Sequence, residues 1–220
     1  AEYLTINEKR AICKIPEGID YDEAVACGEG AHYAFNFINK MNIQKGQKVM
    51  LNGATGAIGS AALQLLKYYG VNVTAVCAKK DFELIKSLGA DRIIDYTSKD
   101  FTNDEDIYDF VFDAVGKSTF GKCKKLLKSG GIYLSSELGP YIQNPFLALC
   151  TKFFGKKKVI FPIPFDCKRS ISFMNKLMKD GEFRGVIDRK YSYENIAEAY
   201  KYVRSGQKVG NVILVIHNRD

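Results

Sequence analysis

Asn52-Gly53-Ala54-Thr55-Gly56-Ala57-Ile58-Gly59 follows a short apolar run, Lys48-Val49-Met50-Leu51, and precedes Ser60 to Tyr69, whose apolar residues recur at helical period. The turn Gln44-Lys45-Gly46-Gln47 opens the first run, Gly70 closes the helix, and a second apolar strand, Val71 to Cys77, follows at once. Strand, glycine loop, helix and strand within roughly thirty residues form the βαβ context in which a glycine loop signifies dinucleotide binding. Without Cβ atoms the backbone turns sharply and approaches a pyrophosphate, and the free N–H groups at the helix start receive its charge. Ala54 takes the first motif position, with Gly56 and Gly59 in the second and third. Glycine also punctuates ordinary turns, and the flanking strands and helix are what separate this loop from one.

The end of the second strand selects the cofactor. A carboxylate there would accept hydrogen bonds from the adenosine ribose 2′-hydroxyl and favour NAD. The chain instead reads Val76-Cys77-Ala78-Lys79-Lys80-Asp81, small and uncharged at the position itself and then doubly cationic. Ammonium groups attract a 2′-phosphate, so NADPH is the expected cofactor. The alternative is that Lys79 and Lys80 belong to an ordinary solvated loop.

The 220 residues are 46% hydrophobic and 26% charged, enough to bury a sizeable core as one domain or one domain plus a remnant. A net charge of +7 raises the question of nucleic acid, but the lysines are scattered and no aromatic-interleaved stripe or recognisable nucleic-acid module appears. Lys156-Lys157-Lys158 reads as a solvated loop. Cys13, Cys27, Cys77, Cys123, Cys150 and Cys167 are dispersed, as reduced thiols of a cytoplasmic protein would be. With only His32 and His217, a protein-only zinc cage is poorly supplied. No signal peptide opens the chain, and the apolar cluster Pro145 to Phe154 is too short to span a bilayer, so it is expected to be a buried or lid helix and no membrane partner is expected.

Downstream the alternation continues. A helix from Asp81 to Ser87 ends at Gly89, before the strand Arg92 to Tyr96. The strand Tyr108 to Asp113 leads to Ala114-Val115-Gly116, Lys117 to Leu127 reads as a helix closed by Ser129-Gly130-Gly131, and Ile132 to Ser135 and Val159-Ile160-Phe161 add two strands. The pattern predicts an α/β fold, a doubly wound parallel sheet of six strands (a Rossmann fold) with its ligand over the carboxyl ends. The expected cofactor shell is therefore Gly53, Ala54, Thr55, Gly56, Ala57, Ile58 and Gly59, then Ala78, Lys79, Lys80, Tyr96, Ala114, Val115, Gly116, Ser136, Leu138, Phe161 and Pro162. Both ends fall outside that sheet. Ala1 to Ile6 reads as a strand and Tyr21 to Cys27 as a helix; Asp166 to Asp180 and Asn195 to Arg204 read as helices, and Asn211 to Ile216 as a last strand.

Taken together, Ile15-Pro16-Glu17-Gly18, Asn52 to Gly59, Ser87-Leu88-Gly89-Ala90-Asp91, Ile94-Asp95-Tyr96, Phe112-Asp113-Ala114-Val115-Gly116, Gly130-Gly131, Val186-Ile187-Asp188 and Gly206 to Val212 resemble the medium-chain dehydrogenases/reductases, specifically the zinc-independent quinone oxidoreductase (zeta-crystallin-like) branch. The resemblance covers the carboxyl-terminal two-thirds of such proteins. It implies remnants of a GroES-like substrate domain at both ends: residues 1–24 as one remnant, 25–165 as the NADP-binding domain, and 166–220 packing back on the sheet and substrate domain. It also implies that Tyr96 lies near the adenosine 2′-phosphate, that the acceptors are quinones, enones or other activated carbonyl compounds, and that the protein is a homodimer. With most of the substrate half absent, such a chain is expected to bind NADPH and turn over little.

The resemblance also places Glu29 where zinc-dependent alcohol dehydrogenases carry a catalytic cysteine ligand, with Cys27 close by. A carboxylate is able to ligate zinc, but the glycine loop is of the zinc-free type, so no metal is expected. Glu29 either acts as a general acid/base at the nicotinamide end or caps the helix that follows. The expected function is an NADPH-dependent oxidoreductase; the alternatives are a non-catalytic NADPH-binding sensor or interaction protein, and a zinc-dependent alcohol dehydrogenase.

Overall fold

Six strands make one parallel sheet: β1 (Lys48–Asn52), β2 (Asn72–Cys77), β3 (Arg92–Asp95), β4 (Tyr108–Asp113), β5 (Leu127–Ser135) and β6 (Lys158–Ile160). They lie in the order β3-β2-β1-β4-β5-β6. The computed structural model describes residues 5–7 and 10–216. The continuous apolar runs dictate this arrangement, because a parallel sheet is covered on both faces. β1 and β2 are buried at every residue after the first. Side chains alternate between two cores: Val49, Leu51, Phe110 and Phe112 enter one, and Met50, Val76, Val111 and Tyr133 enter the other.

The helices are α1 (Tyr21–Ala26), α2 (Glu29–Met41), α3 (Ala57–Tyr68), α4 (Phe82–Ser87), α5 (Phe120–Cys123), α6 (Gln143–Phe153), α7 (Cys167–Lys179) and α8 (Ile196–Arg204). Phe35, Phe37, Ile38 and Met41 of α2, Leu63, Leu65 and Leu66 of α3, and Met174, Leu177 and Met178 of α7 fill the first core. Phe120 and Cys123 of α5 fill the second, with Leu147 and Ala148 of α6 against it. β7 (Ile187–Ser192) and β8 (Asn211–Val215) pair in a separate two-stranded parallel sheet beside α1. Asn211 Nδ2 ties β8 to the end of α1 through the Ala26 carbonyl, at 3.2 Å.

Several expectations need correction. The helix read over Lys117 to Leu127 is broken. Asp113 accepts from Ser118 N at 2.9 Å, Thr119 caps the short α5 by accepting from Lys122 N, and Leu127 already pairs with Tyr108 in the sheet. The glycines read as a helix stop thus lie inside β5, where Gly130 takes φ +83° and the pairing of β4 with β5 shifts register. The cluster Pro145 to Phe154 forms most of α6 but is not buried: Phe146, Leu149 and Phe153 share one exposed face. The helix expected to follow Glu29 is α2, thirteen residues long, with Glu29 as its first residue. Most of the strand expected over Ala1 to Ile6 lies outside the described residues, as does His217; Thr5 to Asn7 form no strand. Among the described residues no helix is long and apolar enough to cross a membrane.

The far end of the sheet is tied by charge. Arg92 holds Asp104 with both guanidinium nitrogens, at 2.6 and 2.7 Å, while Tyr108 donates its hydroxyl to the same carboxylate. The Arg92 hydrogen bonds hold the Asp104 carboxyl down at about 2 although burial opposes them. A depressed carboxyl contributes stability above its unfolded pKa and loses it as pH falls through the folded one. We therefore expect stability in urea titrations to fall by about 2 kcal/mol between roughly pH 4 and pH 2 from this group alone. Asp104→Asn should remove that part of the acid dependence and lower stability at neutral pH.

Candidate dinucleotide site at the carboxyl edge of the sheet

Parallel strands all end on one side, so the loops that follow them line one edge. β1 leads to α3 on one face and its neighbour β4 leads to α5 on the other, which opens a crevice between their ends. The glycine loop sits at that crevice. Gly53 adopts φ +80°, and a Cβ there would lie 2.7 Å from Val115 Cγ1. A Cβ on Gly59 would lie 2.0 Å from the Gly53 carbonyl oxygen, so α3 seats on the loop only with glycine at that position. Gly56 differs: its Cβ would meet nothing closer than that carbonyl at 3.6 Å, so the space before it is open.

α3 begins after Gly56 with no side chain capping its first N–H groups. An open cradle in front of uncapped helix donors fits a pyrophosphate. Ala54 is buried and donates its N–H to the Val76 carbonyl at 3.2 Å, and the Thr55 carbonyl accepts from Gly210 N at 2.6 Å. Ala57 and Ile58 form the first turn of α3.

Asp113 organises the next loop. Its buried carboxylate accepts from Asn52 Nδ2 at 3.0 Å, Val115 N at 3.3 Å, Gly116 N at 3.0 Å and Ser118 N at 2.9 Å, and Tyr133 donates its hydroxyl from β5. Burial first, and then the Asp113 charge, pushes the Tyr133 phenol up, which keeps it a donor. Ala114 continues the ladder to the Asn52 carbonyl, and Gly116, at φ +66°, packs under Glu137. Beyond β5, Asn144 is buried and donates to the Glu137 carbonyl at 2.7 Å, while its own N–H bonds the Leu138 carbonyl. Ser136 Oγ is buried without a hydrogen-bond partner. Leu138 is about half exposed at 48%. Phe161 and Pro162 follow β6, which lies two strands beyond β4.

On the other side, Ala78 is half-buried and Lys79 and Lys80 are exposed in a short turn. Asp95 ends β3 opposite Cys77 and accepts from Thr97 Oγ1 at 2.7 Å and Thr97 N at 2.9 Å. Those bonds hold it below the usual carboxylate range, and the Lys79 backbone and charge add to the effect. The lysines thus have an acidic neighbour that the reading of the second strand alone did not include. Tyr96 is exposed beside it.

Glu29 is the first residue of α2 and is exposed, the position a helix-capping carboxylate favours. Gly30 presses that helix start against α3, since a Cβ there would sit 2.8 Å from the Ala57 carbonyl. Burial, followed by Glu23, pushes the Cys27 thiol up to about 12, and His32 is bonded to Ser170. Among the described residues no three His, Cys, Asp or Glu side chains gather as a metal site.

Sequence reasoning did not assign Gly210 or Lys208 to this edge. Gly210, at φ +70°, bridges to Gly56, and the half-buried Lys208 donates to the Gly210 carbonyl at 2.7 Å, its pKa lowered by burial. Gly206 to Val212 was the only signal.

The model of the zinc-binding dehydrogenase family matches residues 88–214, more than half of the chain. A 2-methylene-furan-3-one reductase of Solanum lycopersicum is 29% identical over 220 residues, covering 97% of this chain and 52% of that protein. A chloroplastic NADPH-dependent alkenal/one oxidoreductase of Arabidopsis thaliana is 28% identical, with 97% of this chain and 52% of that protein covered. The chain thus spans about half the length of these relatives. The quinone oxidoreductase structure from Coxiella burnetii superposes with a TM-score of 0.80 at 20% identity, over 93% of this chain and 64% of that one. With its six-stranded sheet, its glycine loop and a family model over most of its length, the chain belongs to the zinc-binding dehydrogenase family, within the medium-chain dehydrogenases/reductases.

Proposed function

We propose that the protein is an NADPH-dependent reductase of quinones, enones or other activated carbonyl compounds that works without zinc. The observation that carries this reading is the open cradle before Gly56, facing the uncapped start of α3 at the crevice between β1 and β4. Relatives named for enone and alkenal reduction support the acceptor class. The glycine loop, with Ala54 at its first position as in the zinc-free branch that the chain resembles, supports the metal-free reading over a zinc-dependent alcohol dehydrogenase, despite the family's name.

The bound cofactor supplies a hydride equivalent, and the chain's own groups hold and orient it. Gly53 to Gly59 and the α3 N–H groups take the pyrophosphate. Lys79, Lys80 and Tyr96 would hold the adenosine 2′-phosphate, and Val115, Gly116 and Ser136 would face the nicotinamide. Asp113 has no acid–base duty here, since its oxygens are engaged by the loop it holds.

We also assign homodimer pairing to β6, an edge strand paired with β5 on one side only and flanked by the exposed Phe146, Leu149, Phe153 and Phe154. Phe146→Asp combined with Phe153→Asp should convert a dimer to a monomer in light scattering, whereas a parent protein that is monomeric at high micromolar concentration refutes the assignment.

For the cofactor, calorimetric titration should show NADPH binding about tenfold or more tighter than NADH, about 1.4 kcal/mol. Lys79→Ala with Lys80→Ala should erase most of that difference; equal affinities in the parent protein would contradict it. Gly56→Asp should abolish binding of both, because its carboxylate would enter the open space meant for the pyrophosphate. Full-length protein should oxidise NADPH with quinone or enone acceptors and retain its rate after chelation; no turnover across both acceptor classes, or loss of rate on chelation, would refute the reading.

A further inference from the structure

Among the described residues His32 is the one histidine, and it faces a thiol. Cys167, exposed at the start of α7 just past the loop that follows β6, places Sγ 3.8 Å from His32 Nε2. The other imidazole nitrogen is oriented. Nδ1 lies 2.6 Å from Ser170 Oγ, and Ser170 donates its own proton to the Cys167 carbonyl at 3.0 Å. The short contact is therefore Nδ1–H donating to Oγ, which leaves the Nε2 lone pair toward the thiol. Asn36 Nδ2 is 3.1 Å from the same Nδ1 but has the His32 carbonyl at 2.8 Å, and its Oδ1 accepts from Asp166 N. A nucleophile, a base within reach and a third group that fixes the base are the parts of an activated thiol.

The other five cysteines lack this arrangement. Cys27, Cys77 and Cys123 are buried, and burial pushes their thiols up to about 12, 12 and 11. Cys13 is exposed and Cys150 is half-buried, and neither faces His32. We propose that Cys167, with His32 as its base, is a covalent modification site for electron-poor alkenes of the α,β-unsaturated carbonyl class. Sγ bonds to the alkene β-carbon as the π pair shifts to the α-carbon. The thiol proton passes to His32 Nε2 and from there to the α-carbon. One S–C and one C–H bond form, one S–H and one π bond are lost, and no oxidant or reductant is needed.

The choice of electrophile rests on the proposed enone-reducing activity. The chemistry at sulfur is read without cofactor or turnover, so either idea is able to fail alone. Purified cofactor-free protein treated with limiting N-ethylmaleimide, and separately with methyl vinyl ketone, is followed by peptide mass spectrometry. Cys167 should react at least about tenfold faster than Cys13, and His32→Gln should bring it within about threefold while leaving the Cys13 rate unchanged. Equal rates in the parent protein, or an undiminished Cys167 preference in folded His32→Gln, would overturn the proposal. Absence of a Cys167 preference toward either reagent would also overturn it, since both are α,β-unsaturated carbonyl compounds. Should His32→Gln fail to fold, Ser170→Ala removes only the hydroxyl that orients the ring and should lower the Cys167 rate alone; an unchanged rate in folded Ser170→Ala counts equally against the site.

Discussion

A buried carboxylate holds the crevice together. Asp113 is 0% exposed and ends β4 where the sheet's direction of winding reverses. An ionised group so placed is tolerated only when its lone pairs are filled, and three backbone N–H groups, the Asn52 amide and the Tyr133 hydroxyl fill them. Those partners come from β1, β5 and the loop after β4. One side chain therefore fixes the spacing of three strand ends and folds residues 114–118 back on themselves. The same bonds stop the chain from continuing into the helix that the sequence pattern suggested, because Ser118 N is already taken.

The glycine loop is held differently, by backbone contacts from three sides. Gly59 brings α3 onto the Gly53 carbonyl, Gly30 brings α2 against Ala57, and Gly210 donates its N–H to Thr55. Each of these contacts runs mainly through backbone atoms. The arrangement fixes the loop while no side chain caps the start of α3, so a phosphate would meet a site already in shape. Gly210 shows why the carboxyl-terminal segment matters to the cofactor edge although its strands lie outside the main sheet.

How much of this was legible in the sequence follows from the range of the forces involved. β1, β2 and β4 announce themselves because burial on both faces demands unbroken apolar runs, and the glycine loop is readable because a missing Cβ is a local requirement. α5 and the early start of β5 were not readable: Lys117 to Leu127 has helical periodicity, and only the distant Asp113 and Tyr108 override it. α6 was readable as a helix but not as an exposed one, since its apolar outer face conflicts with the folding of this chain alone. Gly30, Lys208 and Gly210 touch or flank the site through contacts long-range in sequence, which no local pattern encodes. Asp95 was read as the end of a strand, and its approach to Lys79 arises from the parallel pairing of β2 with β3.

That last contact bears on cofactor choice. Lys79 and Lys80 share their turn with Asp81, and with Asp95 beside it the local formal charge is zero, less than the lysines alone implied. Asp95 is engaged by Thr97 and by the Lys79 backbone, however, so its oxygens point into their own turn. It does not occupy the position after β2 from which a carboxylate grips a ribose 2′-hydroxyl; that position is Ala78. Exposed ion pairs contribute at most about 1 kcal/mol each. On the proposed reading, two such contacts to a 2′-phosphate, partly offset by Asp81 and Asp95, give a preference for NADPH that is modest and sensitive to salt.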